Sequence, residues 1–133
     1  MPAARVPLSR HLLRVRDLID RGYAEPLDTR VLARSAYVTE AHFIREFRKR
    51  FGETPHRYLV SRRMERAMQL LRDTEYPVTE VCLAVGFTSL GSFSTQFRRF
   101  VGESPTSYRD RPRGDDLATL PSCVVQMFSR PTP

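Results

Sequence analysis

The chain has 133 residues, of which 41% are hydrophobic, a size that allows one domain or two small subdomains sharing a long element. It carries 22 arginine and lysine residues against 15 aspartate and glutamate residues, which gives a net charge of +7. No apolar run approaches the roughly 18 residues of a membrane-spanning helix and no leader-like segment opens the chain, so we expect a cytoplasmic protein with no membrane partner.

The cysteine and histidine residues form no chemical motif. Cys82 and Cys123 lie far apart, which argues against a disulfide scaffold or a zinc site, and His11, His42 and His56 do not have the spacing of metal ligands. The sequence contains no nucleophile elbow and no phosphate-binding loop. We therefore expect no catalytic residue, no metal and no cofactor, and we do not expect an enzyme.

Three predicted helices occupy the N-terminal part of the chain. Ser9 is predicted to cap the first, which extends to about Tyr23 and has an apolar stripe formed by Leu12, Val15, Leu18 and Ile19. Asp28 is predicted to cap a short second helix. Thr39 is predicted to cap the third, which ends at Gly52, a residue suited to a left-handed C-terminal cap. A spacing of four residues places Phe43, Phe47 and Phe51 on its buried side.

The same start and stop signals predict the four helices that follow. Thr54 is a capping hydroxyl and Pro55 suits the first helical position, so a long helix begins there. The predicted helices cover residues 55–73, 78–85, 89–101 and 105–110; Ser89 is predicted to cap the third of these, and Ser104-Pro105 to start the last. The sequence thus predicts an all-α fold of about seven helices.

The third and sixth predicted helices repeat each other at an offset of 50 residues. Each carries Phe-x-x-x-Phe-Arg-[basic] and is followed by Gly-Glu-[Ser/Thr]-Pro. The corresponding residues are Phe43 and Phe93, Phe47 and Phe97, Arg48 and Arg98, Gly52 and Gly102, and Tyr58 and Tyr108. The repeat therefore includes a helix, its stop signal and the start of the next helix.

The short helices before the repeated ones match at a different offset. Leu32-Ala33 corresponds to Val81-Cys82 at 49 residues, so we expect one extra residue in the turn region of the second copy. A short apolar helix, a tight turn and a capped basic helix are typical of a helix-turn-helix unit, whose second helix enters the major groove of DNA. The sequence predicts two such units, joined by the long helix.

The second copy carries the most specific motif in the chain. It comprises Val85-Gly86-Phe87, Ser92-Phe93, Phe97-Arg98-Arg99, Gly102, Ser104-Pro105 and Tyr108-Arg109. This motif resembles the DNA-binding domain of AraC/XylS-type transcriptional regulators, over about residues 9–111. The resemblance implies seven α-helices in two subdomains. Family members usually carry a separate sensor domain, so the chain resembles either the stand-alone type or a fragment.

Two residues depart from the family pattern. Cys82 stands where alanine is usual, and because cysteine is small and apolar we expect a packed thiol. Gly91 stands where serine is usual, and glycine weakens a helix by up to about 1 kcal/mol relative to alanine.

The predicted organisation has four segments. Residues 9–54 form the first helix-turn-helix subdomain, 55–73 the linker helix and 74–111 the second subdomain. The tail, 112–133, is too apolar for a simple disordered end. Packing on the domain, pairing with another chain and the start of a missing domain all remain open for it.

The core-facing phenylalanines determine which residues of the recognition helices point outward. In the first unit the predicted base contacts, which match the family's base-reading positions, are Ala41, Ile44 and Arg45. Arginine suits a bidentate contact with guanine, whereas alanine and isoleucine suit only thymine methyl groups. In the second unit the predicted base contacts are Leu90, Gly91, Ser92 and Thr95, which include no long polar side chain.

Other outward residues are predicted to hold phosphates, which position a protein without reading sequence. The predicted phosphate contacts are Thr39, Arg48, Lys49, Ser89, Arg98 and Arg99. A solvated charged face, or pairing of these arginines with nearby acids, is the alternative.

We therefore expect a sequence-specific transcription regulator that binds double-stranded DNA as a monomer, with RNA polymerase as a protein partner. Recognition helices over about 39–51 and 89–101 would enter successive major grooves. A linker of about 19 residues would span near 28 Å, against roughly 34 Å between successive grooves on one face. Two alternatives remain open: an architectural protein that binds DNA without reading it, and a protein-interaction module, which the arginines oppose.

Overall fold

The computed structural model describes residues 6–112, and within that range it consists of seven α-helices and contains no strand. This confirms the predicted fold class. The helices are α1 (Leu8–Gly22), α2 (Thr29–Ser35), α3 (Glu40–Phe51), α4 (Pro55–Asp73), α5 (Val78–Ala84), α6 (Leu90–Val101) and α7 (Pro105–Asp110). None of these helices is long and apolar enough to cross a membrane. Cys123 and the predicted tail from residue 113 onward lie outside the described residues.

Side-chain caps begin five of these helices at predicted or expected residues. The hydroxyl of Thr39 accepts a hydrogen bond from the backbone N–H of His42 at 3.3 Å, and the hydroxyl of Ser89 accepts one from Ser92 at 3.2 Å. Each bond satisfies a backbone N–H that has no partner within the first helical turn. The caps of α2, α4 and α7 are Asp28, Thr54 and Ser104.

The predicted cap of α1 at Ser9 is wrong. The helix begins at Leu8 after Pro7, which provides no side-chain cap. The carbonyl of Pro7 instead accepts hydrogen bonds from the N–H groups of Arg10 at 3.0 Å and His11 at 3.3 Å. Because the carbonyl of Pro7 already satisfies the N–H of Arg10, the helix starts there without a capping hydroxyl.

Glycine ends both repeated helices, as the sequence predicts. Gly52 has φ 84° and Gly102 has φ 99°, both in the left-handed region. Their N–H groups donate to the carbonyls of Arg48 at 2.8 Å and Arg98 at 2.9 Å, which closes the last turn of each helix. Glycine adopts this conformation without a steric penalty.

The chain divides into two compact units, of which the first ends at Leu59 and the second begins at Val60, both within α4. Each unit has its own hydrophobic core, and the four phenylalanines predicted for those cores are fully buried: Phe43, Phe47, Phe93 and Phe97. Phe51 is half-buried and packs against the first core.

The predicted apolar stripe of α1 is wrong at Leu18, which is 42% exposed. The buried arc of α1 consists of His11, Leu12, Val15 and Ile19. At about 100° per residue, Leu18 falls just outside this arc, whereas His11 falls within it. The stripe is therefore partly polar.

A tyrosine from the helix that follows packs edge-on against each repeated helix. The ring centroids of Tyr58 and Phe47 are 5.8 Å apart, and those of Tyr108 and Phe97 are 5.7 Å apart. The hydroxyl of Tyr58 also donates to a carboxylate oxygen of Asp20 at 2.7 Å. Within residues 6–112, the hydroxyl of Tyr108 has no such partner.

We predict that Tyr58→Phe lowers the free energy of unfolding by about 1–3 kcal/mol, because it removes a hydrogen bond to a charged carboxylate. Tyr108→Phe is the matched control from the second unit and should change it by less than about 0.5 kcal/mol. Urea unfolding followed by circular dichroism measures both variants. Equal losses would contradict a stabilising role for the bond between Tyr58 and Asp20.

Candidate nucleic-acid interface

The turns of the two helix-turn-helix units, α2–α3 and α5–α6, begin with the same backbone hydrogen bond. The N–H of Val38 donates to the carbonyl of Ala33 at 3.3 Å, and the N–H of Phe87 donates to that of Cys82 at 3.0 Å. These bonds are related by an offset of 49 residues, whereas the caps of α3 and α6 are related by 50. The extra residue predicted for the second turn is therefore Thr88.

The turn of the first unit is strained at one residue. Tyr37 has φ 61°, in the left-handed region, where the corresponding residue of the second unit is Gly86 with φ 101°. This conformation costs a non-glycine residue about 1–2 kcal/mol. The ring of Tyr37 packs edge-on against the ring of His11 at 5.0 Å, which offsets part of that cost.

A side chain from α4 supports the turn of the second unit. The guanidinium of Arg63 lies 5.5 Å from the centre of the Phe87 ring, and Phe87 packs edge-on against Phe93 at 5.5 Å. Burial lowers the pKa of Arg63, but a guanidinium remains charged at neutral pH. Arg63 therefore connects α4 to the turn that presents α6.

The predicted base contacts on α3 include a pre-positioned arginine. Ala41 and Arg45 are exposed, and Ile44 is half-buried. Nη2 of Arg45 lies 3.2 Å from Nδ1 of His42, one turn earlier on the same helix. This hydrogen bond holds the guanidinium near the first turn of α3.

The predicted base contacts on α6 are all exposed but have a different chemistry. They are Leu90, Gly91, Ser92 and Thr95. Leu90 is 43% exposed, and none of the four has a long polar side chain. In addition, α6 contains no acidic residue, whereas α3 contains Glu40 and Glu46.

The repeat places two further positions on these outward faces, and neither was among the predicted base contacts. His42 corresponds to Ser92, and Ser94 corresponds to Ile44, in each case at an offset of 50 residues. His42 and Ser94 are both half-buried. The offset is the signal that identifies them, because it transfers each outward position from one helix to the other.

The C-terminal turns of α3 and α6 carry exposed basic residues, which we call the basic ends. The name covers the four that are predicted phosphate contacts, Arg48, Lys49, Arg98 and Arg99; Arg50, in the same turn of α3, is also exposed. Within residues 6–112, none of the four forms an ion pair, although pairs do occur elsewhere, such as Arg62 with Glu65 at 2.9 Å. Their position is favourable to the helix dipole as well as available to an anionic partner.

The thiol of Cys82 is packed, as predicted. It is 2% exposed and donates weakly to the carbonyl of Phe87 at 3.8 Å. Burial raises the pKa of the Cys82 thiol, so it stays protonated and unreactive at neutral pH. In the described part of the chain, no three His, Cys, Asp or Glu residues come together in a way that would hold a metal ion.

The fold and the two exposed basic helices define a protein with paired helix-turn-helix units. The family model described as a helix-turn-helix domain matches residues 32–111, more than half of the chain. The chain belongs to the AraC-type family of helix-turn-helix proteins.

Curated relatives of the chain are transcriptional regulators. The chain is 36% identical to the HTH-type transcriptional regulator CdhR of Pseudomonas aeruginosa over 101 residues, which are 76% of this chain and 30% of CdhR. It is 30% identical to the probable transcriptional regulator LumQ of Photobacterium leiognathi over 99 residues, 74% of this chain and 40% of LumQ. The chain therefore spans less than half the length of these relatives.

A solved structure with the same fold contains DNA. It is the DNA-binding domain of AdpA, a global transcriptional factor, in complex with a target DNA. The two share a TM-score of 0.72 and 34% sequence identity over 77% of this chain and 97% of the AdpA domain.

Proposed function

We propose that this chain is the DNA-binding part of a sequence-specific transcription regulator, with α3 and α6 as recognition helices in successive major grooves of one duplex. The observation that carries the proposal is the repetition, within one chain, of a capped helix that exposes one face and ends in basic residues. The AdpA domain, crystallised with a target DNA, supports it. Contact with RNA polymerase and a cytoplasmic location stay predictions.

We assign base reading in the first unit to Arg45, with Ala41 and Ile44 beside it. Arg45 is exposed in the first half of α3, and its planar fork matches the O6 and N7 atoms of guanine. The hydrogen bond to His42 restricts the side chain before binding, so less conformational entropy is lost when it meets a base. In the second unit the assigned base contacts are Leu90, Gly91, Ser92 and Thr95.

We assign phosphate binding to the basic ends and to the capping hydroxyls of Thr39 and Ser89. Both hydroxyls are exposed, and a hydroxyl that accepts a cap bond still has a proton to donate to a phosphate oxygen. The basic ends add charge about two and a half to three turns later along each helix. These contacts would fix the orientation of the protein on the duplex, whereas the base contacts would specify the sequence.

We use 'box' for the stretch of the DNA site that one recognition helix would read. We predict that Arg45→Ala weakens binding to the preferred site by about 1–3 kcal/mol and relaxes the base choice in one box. Arg98→Ala should weaken all sequences nearly equally and reduce the dependence of log K on log salt by about one. Affinities for specific and scrambled duplexes across a salt series measure both effects.

Arg45→Lys is the control for charge, because lysine keeps the positive charge but lacks the planar fork. It should retain the wild-type salt dependence and lose the base choice. Equal losses of affinity on both duplexes for Arg45→Ala would make Arg45 a phosphate contact. A folded chain that bound no selected duplex would contradict the proposed function as a whole.

We propose further that one chain occupies its site as a monomer. The two recognition helices differ at most outward positions, for example Arg45 against Thr95, so they would read unlike boxes. We predict that sites selected from random DNA contain two different boxes about one helical turn apart, and that native mass spectrometry finds one chain per duplex. A perfect inverted repeat occupied only by two chains would contradict this.

The surface of α6 favours a second candidate function, architectural binding without sequence readout. None of the four base contacts assigned to α6 has a side chain long enough for a bidentate hydrogen bond to a base. Competition between selected and random duplexes distinguishes the two functions. Equal competition would favour the architectural one.

A further inference from the structure

The outward faces of the two recognition helices differ in kind as well as in detail. On α3 the first two turns expose Arg45, held by His42 at 3.2 Å. On α6 the corresponding turns expose Leu90 and Thr95, and no charged side chain occurs before Arg98. The helical framework is repeated, but where α3 exposes a guanidinium, α6 exposes a leucine, a glycine and the short hydroxyl side chains of Ser92 and Thr95.

The fold does not require a leucine at position 90. Its counterpart in the first unit is Glu40, an acid in the first turn, where it interacts favourably with the helix dipole. Leu90 has no charge and makes no such interaction, and 43% of its surface is exposed to water. An apolar partner that covers the side chain would compensate for both losses.

The fold does not require a glycine at position 91 either. Gly91 lies within α6 and is not among the residues with positive φ. A Cβ atom there would meet only the hydroxyl oxygen of Ser89, at 3.8 Å, which is an ordinary contact. Glycine is nevertheless one of the least favourable residues inside a helix. Its exposed position in the middle of the outward face leaves the backbone accessible to a partner.

Thymine is the DNA base that offers an apolar group in the major groove, its 5-methyl group. Leucine and the methyl group of threonine contact such a group, whereas they lack the paired donors that recognise guanine or adenine. A helix without a Cβ atom at its closest point also approaches the base edges more deeply.

We infer that the second unit selects A·T pairs by contact with thymine methyl groups, through Leu90 and Thr95, with Gly91 allowing the close approach. This inference rests on the proposed function and specifies the base class of one of its two boxes. The first unit would add a guanine contact by Arg45 to the methyl contacts of Ala41 and Ile44, whereas the second unit would depend on methyl contacts, so the whole site would be asymmetric in chemistry.

The test replaces thymine by uracil in the selected duplex, which removes only the methyl group and keeps base pairing. The second box is the one whose base choice Arg45→Ala does not relax. There, uracil should lower the affinity about fourfold for each contacted methyl group. In Leu90→Ala the same replacement should have a smaller effect, because the contact is already lost. Leu13→Ala, at an exposed leucine of α1 (40%), should retain the full wild-type effect.

Gly91→Ala separates folding from binding. It should raise the midpoint of thermal unfolding, because alanine favours the helix and fits without a clash, and yet lower the affinity for the selected duplex. Unchanged affinity on uracil duplexes, or tight binding by Gly91→Ala, would overturn the inference while DNA binding itself persisted. Failure of the wild-type chain to bind any duplex would instead overturn the proposed function.

Discussion

The packing of two phenylalanines, four residues apart, against a tyrosine of the next helix is the interaction on which each unit depends. In the first unit Phe47 contacts both Phe43 and Tyr58, and in the second Phe97 contacts both Phe93 and Tyr108. Because the phenylalanines bury one side of α3 and α6, the opposite side must face outward. A capping hydroxyl and a left-handed glycine then determine where each exposed helix begins and ends.

This arrangement separates the residues that stabilise the units from those that would recognise DNA. The buried phenylalanines are the same in both copies, whereas Arg45 on one helix corresponds to Thr95 on the other. A change on the outward face therefore alters the chemistry offered to a partner without disturbing the core. On the same helical framework, α3 exposes Arg45 bonded to His42, whereas α6 exposes Leu90.

Features that depend on local sequence could be predicted. The caps at Thr39 and Ser89 and the stop at Gly52 depend on residues within one turn, and the spacing of the phenylalanines identifies the buried side. The predicted start of α1 was wrong because the carbonyl of Pro7 accepts the hydrogen bonds of the first turn, in place of a side-chain hydroxyl.

Features that depend on distant residues could not be predicted. The hydrogen bond between Tyr58 and Asp20 joins residues 38 positions apart, and the left-handed Tyr37 is accompanied by a ring contact with His11. No periodicity in the sequence signals either contact. Among the candidate site residues, exposure follows from helical geometry, but the bond that holds Arg45 requires knowledge of the side-chain conformation.

The central claim is that two units of one chain hold one duplex together, and the most direct test is affinity as a function of the distance between the boxes. The boundary between the units lies inside α4, a helix of 19 residues. Inserting about 5 base pairs turns the second box to the opposite side of the duplex. The account predicts that the affinity falls by at least about tenfold, some 1.4 kcal/mol, toward the affinity for a duplex with only one box. An affinity that did not change with spacing would contradict simultaneous binding by the two units.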